Sequence, residues 1–245
     1  MSNEPGFHNR HTVLAAKIRN LLCDLGLSTY DEVAPKIEYW VEYVLAEQFM
    51  TTSDLVEQVS TVAWSYRLTN SHISRFLKEF RDAPHRSEQA RSFVDGLCLY
   101  VIRWFAVASA EEIWEDWSRG LVSNGGVPGF LRAAGFVGHL IECGLLSREL
   151  VQRHIIKPLT NHYYNQDNFG KQAIKANAIY MLFVAAGNTL LQGLLEPEDV
   201  QVCFEKLQTW VTLGYIKRLD IFNAAMLSVR SDSHLDVSHL VLTCG

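Results

Sequence analysis

The stretch FLRAAGFVGHLIECGLLSRELVQRHIIKPL, residues 130–159, predicts two consecutive helices. Its apolar residues recur every three or four positions, which is the spacing of one helix face. Gly144 lies where the first helix should stop, and Ser147 is suited to cap the start of the second. Gly135 and Gly138 lie inside the first helix, where each costs about 1 kcal/mol of helix propensity relative to alanine. We therefore expect both glycines to pack tightly against a neighbouring element.

The glycines at the start of this region raise the alternative of a phosphate-binding loop. Such a loop needs a strand before the glycines and a lysine after them, and the sequence around residues 125–138 has neither. Gly125 and Gly126 are therefore interpreted as a linker, and Pro128 as the start of the helix. A weaker alternative is an anion site at the N–H groups of this helix start.

Helical periodicity, punctuated by glycine and proline, recurs along the whole chain, and we find no alternating strand pattern. The predicted helices are Thr12–Leu25, Pro35–Gln48, Ser53–Arg67, Ser71–Arg81, Ser87–Val107, Glu111–Ser118, Pro128–Cys143, Arg148–Leu159, Lys171–Ala186, Pro197–Leu213 and Tyr215–Val229. Paired helices begin at intervals of about 34 to 43 residues, which is within the range of HEAT-like repeats. The sequence predicts an all-α, HEAT-like array of about five antiparallel helix pairs.

The same pattern predicts the domain organisation. Residues 1–11 are expected to form a flexible N-terminus, and residues 12–230 a single helical-repeat domain. Residues 231–245 are expected to form a C-terminal tail. At 245 residues with 48% hydrophobic content, the chain is long enough to bury a large core or a short array of repeats.

Charge is distributed unevenly along the chain. The formal net charge is −5, and residues 1–120 carry 12 basic against 17 acidic side chains. The segment Asp31–Glu57 alone has seven acidic residues and one lysine. Because a nucleic-acid-binding surface needs a basic footprint, we do not expect non-specific nucleic-acid binding by the whole surface.

Cysteine usage and hydropathy indicate the compartment. The five cysteines are widely spaced without a CxxC pair, and the N-terminal MSNEPGFHNR lacks the apolar segment of a secretory signal. We expect reduced thiols and a cytoplasmic or nuclear location. The most apolar stretch, Ala178–Leu195, is interrupted by Asn188 and Gln192, which favours the interior of a helical array over a membrane span.

The candidate catalytic and metal-binding groups are incomplete. His139 and Cys143 are four residues apart on one predicted helix, but the further ligands of a metal site are missing. Four carboxylates share one short predicted helix, where a solvated acidic face explains them better than an acid–base pair: Glu111, Glu112, Glu115 and Asp116. We therefore expect no enzyme activity, no metal and no cofactor.

Two segments resemble the middle domain of eukaryotic initiation factor 4G. The first is AGFVGHLI, residues 134–141, with the cap Leu145–Ser147, and the second is RLDIFNAAMLSVRSD, Arg218–Asp232, which is similar to that family's closing helix. Members of this family are typically non-catalytic helical-repeat scaffolds that bind DEAD-box RNA helicases, other translation or messenger-RNA-processing factors, or RNA. The resemblance implies a protein-interaction scaffold in messenger-RNA metabolism or translation, with such a helicase or factor as its partner.

The candidate contact residues are charged positions on the predicted surface, because the apolar positions are needed for helix packing. An acidic group is expected to dock a basic partner: Glu38, Glu42 and Glu47. A second group lies near the closing helix: Lys217, Arg218, Asp220 and Arg230. The alternative for either group is an ordinary solvated face. Two other functions stay open, a self-assembling structural protein and an RNA-binding helical-repeat module with phosphate contacts from Lys157, Lys171 and Lys175.

Overall fold

The computed structural model describes residues 5–25, 27–47, 51–65, 70–83, 88–107, 126–160, 169–186, 189–190 and 197–212. Over these residues the chain contains helices and no strand, which confirms the prediction of an all-α protein. The helices are α1 (Pro5–Asp24), α2 (Tyr30–Ala46), α3 (Thr52–Ser65), α4 (Asn70–Asp82), α5 (Glu88–Val107), α6 (Gly126–Glu142), α7 (Arg148–Val151), α8 (Lys157–Thr160), α9 (Phe169–Ala186) and α10 (Pro197–Thr212). A π-helical segment, Gln152–Ile156, joins α7 to α8.

Some predicted elements lie outside the described residues. These are the helices predicted at 111–118 and 215–229 and the tail at 231–245. The predicted domain limits at residues 12 and 230 stay predictions. No helix in the described ranges is both long enough and apolar enough to cross a membrane.

Two helices begin at least five residues earlier than the sequence predicted, and α6 begins at Gly126, which was interpreted as linker, rather than at Pro128. Helix α1 begins at Pro5, inside the segment that we expected to be flexible, and α2 begins at Tyr30 rather than at Pro35. Asp31 and Glu32 lie in the first turn of α2, where the partial positive charge of a helix N-terminus favours carboxylates. Pro35 therefore lies inside α2, where it has no N–H to donate to the carbonyl of Asp31.

The described helices fall into two compact units, Met1–Arg103 and Trp104–Gly245. In the first unit, α1 packs on α2 and α3, and α4 packs on the same two helices. The ring of Phe80 on α4 stacks on Phe76 at 5.4 Å and meets Phe93 edge-on at 6.4 Å, and all three side chains are buried. This aromatic cluster anchors the C-terminal half of α4 in the core.

A buried thiol on α5 provides a chemical test of this core. Burial, with a smaller contribution from the Asp95 carboxylate, raises the pKa of the Cys98 thiol to about 12. Because the thiolate is the reactive form, Cys98 should react slowly at pH 8, whereas Cys23 and Cys143 are half-buried thiols. We expect iodoacetamide to alkylate Cys23 and Cys143 at least about tenfold faster than Cys98, as measured by peptide mass spectrometry. Equal rates in the folded protein would contradict this packing, and urea should make the rates equal.

In the second unit, α6 is enclosed rather than amphipathic and packs closely on α9. Residues 133–138 are all buried, so this part of α6 has no solvent-facing side. A Cβ atom at Gly138 would lie 2.6 Å from the Cβ of Ala185 and 2.8 Å from the carbonyl oxygen of Leu182. Close packing is therefore confirmed at Gly138, whereas a Cβ at Gly135 would meet a methionine methyl group at 3.4 Å, an ordinary contact.

The C-terminus of α6 is set by the glycine that the sequence predicted. Gly144 has a φ of 67°, in the left-handed region that favours glycine. Its N–H donates to the carbonyl of Ile141 at 2.9 Å, and the N–H of Leu145 donates to the carbonyl of Leu140 at 2.9 Å. Together these two hydrogen bonds form a Schellman motif, which stops the helix and satisfies its last carbonyls.

The next helix starts at its predicted cap and contains the π segment. The N–H of Leu150 donates to Ser147 Oγ at 3.4 Å, which confirms Ser147 as the N-cap. The π segment Gln152–Ile156 follows, and Pro158 lies two residues beyond it. Proline lacks an N–H, and its ring clashes with the carbonyl four residues earlier, here that of His154. The wider π turn accommodates this proline inside a continuous helix.

Candidate functional site

An open cleft between α2 and α4 is the candidate site. It has a volume of about 200 Å³, and its lining residues come from both helices: Tyr30, Asp31, Ala34, Pro35, Glu38, Phe76, Glu79 and Phe80. The contributing positions of α2 recur at three- and four-residue spacing, so they share one side of that helix. Phe76 and Phe80, the two members of the aromatic cluster that belong to α4, line the cleft next to Glu79.

Three carboxylates line this acidic cleft. Glu38, one of the residues predicted to dock a basic partner, is among them and is half-buried. Asp31 joins it from the first turn of α2, and Glu79 joins it from the last turns of α4. Arg75 balances the charge of Glu79, so the negative charge that raises the local concentration of cations comes from the α2 side of the cleft.

Glu79 is held by two donors at one edge of the cleft. The Tyr30 hydroxyl donates to Glu79 Oε2 at 2.7 Å, and Arg75 Nε donates to Glu79 Oε1 at 3.0 Å. The guanidinium carbon of Arg75 also lies 4.4 Å from the centroid of the Tyr30 ring. An arginine is thus held here by a carboxylate and an aromatic face together, which is the combination that recognises guanidinium groups.

The protonation state of Tyr30 is fixed by this arrangement. Burial raises the pKa of Tyr30 well above its ordinary value, and the hydrogen bond to Glu79 and the charge of that carboxylate raise the pKa further. The hydroxyl therefore remains a hydrogen-bond donor at neutral pH, and the edge of the cleft keeps its geometry.

A second feature, the aromatic strip, lies further along α2 and consists of Tyr39, Trp40 and Tyr43. The rings of Tyr39 and Tyr43 are nearly parallel, with 6.2 Å between their centroids and 10° between their planes. Trp40 meets Tyr43 edge-on at 5.8 Å. On α1, the ammonium nitrogen of Lys17 lies 4.9 Å from the Trp40 ring centroid. The strip is therefore a group of aromatic rings, one of which, Trp40, already makes a cation–π contact with Lys17.

The sequence identified only part of this surface. Glu42 is half-buried and Glu47 is exposed at the end of α2, in addition to Glu38 in the cleft. Asp31 and Glu79 were not predicted as contact residues, because their proximity depends on how α2 packs on α4. The strip was also missed, although two tyrosines four residues apart among carboxylates are a signal of an exposed aromatic surface.

The other predicted contact residues separate into two groups. Lys217, Arg218, Asp220 and Arg230 lie outside the described residues. Of the lysines proposed for RNA binding, Lys157 is exposed, whereas Lys175 is buried with 8% of its surface accessible. The side chain of Lys171 is not among those that the structure describes. The burial of Lys175 leaves little of that side chain to contact a phosphate.

His139 and Cys143, the pair considered for a metal, have a different environment. His139 Nδ1 lies 3.1 Å from Glu142 Oε2 on the same helix, and Cys143 is half-buried beyond the helix end. Within the described ranges, no group of three or more His, Cys, Asp or Glu side chains is arranged to hold a metal ion.

Comparison with family models, with curated proteins and with solved structures gives no match for this chain. The functional proposal therefore depends on the acidic cleft, the aromatic strip and the sequence resemblance.

Proposed function

We propose that this chain is a non-catalytic protein-interaction scaffold of the initiation-factor-4G middle-domain type. In this proposal it binds a DEAD-box RNA helicase, or another translation or messenger-RNA-processing factor, in the cytoplasm or the nucleus. The observation that carries the proposal is the acidic cleft, where Asp31, Glu38 and Glu79 line one concave surface between α2 and α4. The partner would insert a basic segment into this cleft.

The architecture proposed for this scaffold is a HEAT-like array. The contacts of α1 with α2 and α3, and of α4 with the same two helices, support it. Helix pairs that stack in this way bury their apolar faces against neighbours and present extended surfaces to partners. A surface cleft between two such helices is therefore a natural place for a partner segment.

A basic segment suits the acidic cleft for electrostatic and geometric reasons. Asp31 and Glu38 lie in the same cleft, so a basic side chain placed there is close to two carboxylates at once. The lining includes the exposed ring of Pro35, on which the methylene stem of a lysine or arginine can pack. Complementary charge also raises the association rate of the two proteins.

We expect charge reversal in the cleft to weaken partner binding. Affinity purification from the native cell, with and without nuclease, separates protein-mediated from RNA-mediated partners. Among the nuclease-resistant partners, recovery of the helicase or factor should fall at least about tenfold with Glu38→Lys, because that variant places a cation opposite the partner's basic segment. The matched control is Asp95→Lys, which makes the same charge change at an exposed position of α5. Equal recovery with both variants would refute docking in the cleft.

A further inference from the structure

We propose that the aromatic strip of α2 binds arginine side chains of a basic protein segment by stacking their guanidinium groups on its tyrosine rings. This inference rests on the proposed function for the identity of the partner, a protein factor with a basic segment. It adds a chemical selectivity that the acidic cleft alone does not supply, because carboxylates attract lysine and arginine alike.

The exposure and geometry of Tyr39 suit it to this role. Its side chain is 63% exposed, so one large aromatic residue lies at the surface of the first unit. Its ring is nearly parallel to that of Tyr43, one helical turn further along. The exposed ring of Tyr39 offers a flat face, and the planar guanidinium of arginine packs on such a face better than the compact ammonium of lysine.

The charged side chains around the two tyrosines bear on which partner class fits. Glu42 follows Tyr39 by three residues and Glu47, the C-cap of α2, follows Tyr43 by four, whereas Lys36 precedes Tyr39 by three. Nucleic-acid bases also stack on tyrosine, but their phosphates are repelled by neighbouring carboxylates. Along α2, four carboxylates (Asp31, Glu32, Glu38 and Glu42) stand against one lysine, so the charge of this helix favours a basic protein segment over RNA.

Two cation–π contacts of this kind already exist within the chain. Lys17 places its ammonium nitrogen 4.9 Å from the Trp40 ring centroid, and Arg75 places its guanidinium carbon 4.4 Å from the Tyr30 ring centroid. Both rings belong to α2. Tyr39 offers a third aromatic face on this helix, with most of its side chain open to solvent.

The acidic cleft and the aromatic strip are spaced for one continuous segment. Asp31 in the cleft and Tyr39 in the strip are eight residues apart on α2, which is about 12 Å along the helix axis and about 80° around it. An extended peptide covers about 12 Å in roughly four residues. A segment with basic residues about four positions apart can therefore place one side chain in the cleft and stack the next, an arginine, on the strip.

Two peptides of equal charge test this inference on the purified 245-residue chain. Both are fluorescein-labelled Gly/Ser peptides of twelve residues, with arginine at four positions in one and lysine at the same positions in the other. By fluorescence anisotropy we expect the arginine peptide to bind about threefold to fivefold more tightly. Tyr39→Ala should abolish this ratio, Tyr39→Phe should keep it because a π face remains, and Glu38→Lys should weaken both peptides. Unchanged melting temperatures establish that these variants remain folded.

Several outcomes would overturn the inference. Equal affinity of the wild-type chain for both peptides would do so, as would an arginine preference that survives Tyr39→Ala. A twelve-nucleotide uridine RNA that competes as tightly as the arginine peptide would assign the strip to RNA. A dimer in light scattering that Tyr39→Ala dissociates would assign the strip to a second copy of the chain. Helicase binding is measured separately. If the chain prefers the arginine peptide but does not bind the helicase, only the proposed function is contradicted. If the chain binds the helicase but does not prefer the arginine peptide, only this inference is contradicted.

Discussion

Replacement of Gly138 by alanine is expected to lower the free energy of unfolding by about 2 kcal/mol. The added methyl group would lie 2.6 Å from Ala185 Cβ, 2.8 Å from the Leu182 carbonyl oxygen and 3.2 Å from the Ala186 nitrogen. Two of these neighbours are backbone atoms of α9, so the two helices must move apart. Overpacking typically costs about 1–3 kcal/mol, and we expect about 3 kcal/mol here. Alanine has a higher helix propensity than glycine by about 1 kcal/mol, which offsets part of this cost.

Gly135→Ala is the matched control for this prediction because it changes the same residue type in the same helix. Its Cβ would meet the flexible end of Met181 at 3.4 Å, which requires little or no movement. We expect a neutral effect or a gain of up to about 1 kcal/mol from helix propensity. Urea unfolding followed by circular dichroism measures both variants. Equal effects of the two substitutions would show that α6 and α9 are not in close contact at Gly138.

Phe80→Ala is expected to have a larger effect, a loss of about 3–5 kcal/mol in the free energy of unfolding. Phe80 is only 1% exposed, and its ring is in contact with Phe76 on one side and Phe93 on the other. Removing the ring loses the free energy of burying it and leaves a cavity that α4 and α5 cannot close completely. The expected fall in melting temperature is on the order of 10 °C.

Lys78→Ala controls for a change of side chain on the same helix. Lys78 is exposed, and its ion pair with Asp82 at 3.0 Å is a surface pair between residues four apart. Such pairs contribute about 0.5 kcal/mol or less. A loss with Phe80→Ala no larger than that with Lys78→Ala would contradict the buried aromatic cluster. Because Phe80 also lines the acidic cleft, Phe80→Ala should weaken binding of the arginine peptide as well.

Local chemistry in the sequence predicted the C-terminal end of α6 and the start of α7 well, although α6 begins at Gly126 rather than at the predicted Pro128. Gly144 and Ser147 act through hydrogen bonds within a few residues of their own positions, so the stop and the cap could be read without knowing the neighbours. The start of α2 was placed wrongly because Pro35 was taken as the first turn. Val33 and Ala34, which precede that proline, are buried and extend the packed helix towards its N-terminus.

The candidate site was less predictable, because it depends on contacts between residues far apart in sequence. Glu38 could be recognised as part of an acidic face, but its neighbour in the cleft, Glu79, comes from α4. No local pattern indicates that pairing. Trp40 follows the apolar spacing of Ile37, Val41 and Val44, whereas the structure leaves it half-buried with Lys17 over its ring. The aromatic strip lies on the side of α2 between the acidic and the apolar residues, and the sequence pattern therefore did not indicate it.

The most direct test of the proposed scaffold function is calorimetric titration of the 245-residue chain with a purified DEAD-box RNA helicase from the same cell. We predict binding with one helicase per chain, weakened at least about tenfold by Glu38→Lys and unchanged by Asp95→Lys. The affinity should also fall as salt is raised, because the contact is between opposite charges. Absence of heat at low salt, or equal affinities for the two charge-reversal variants, would contradict helicase docking in the acidic cleft.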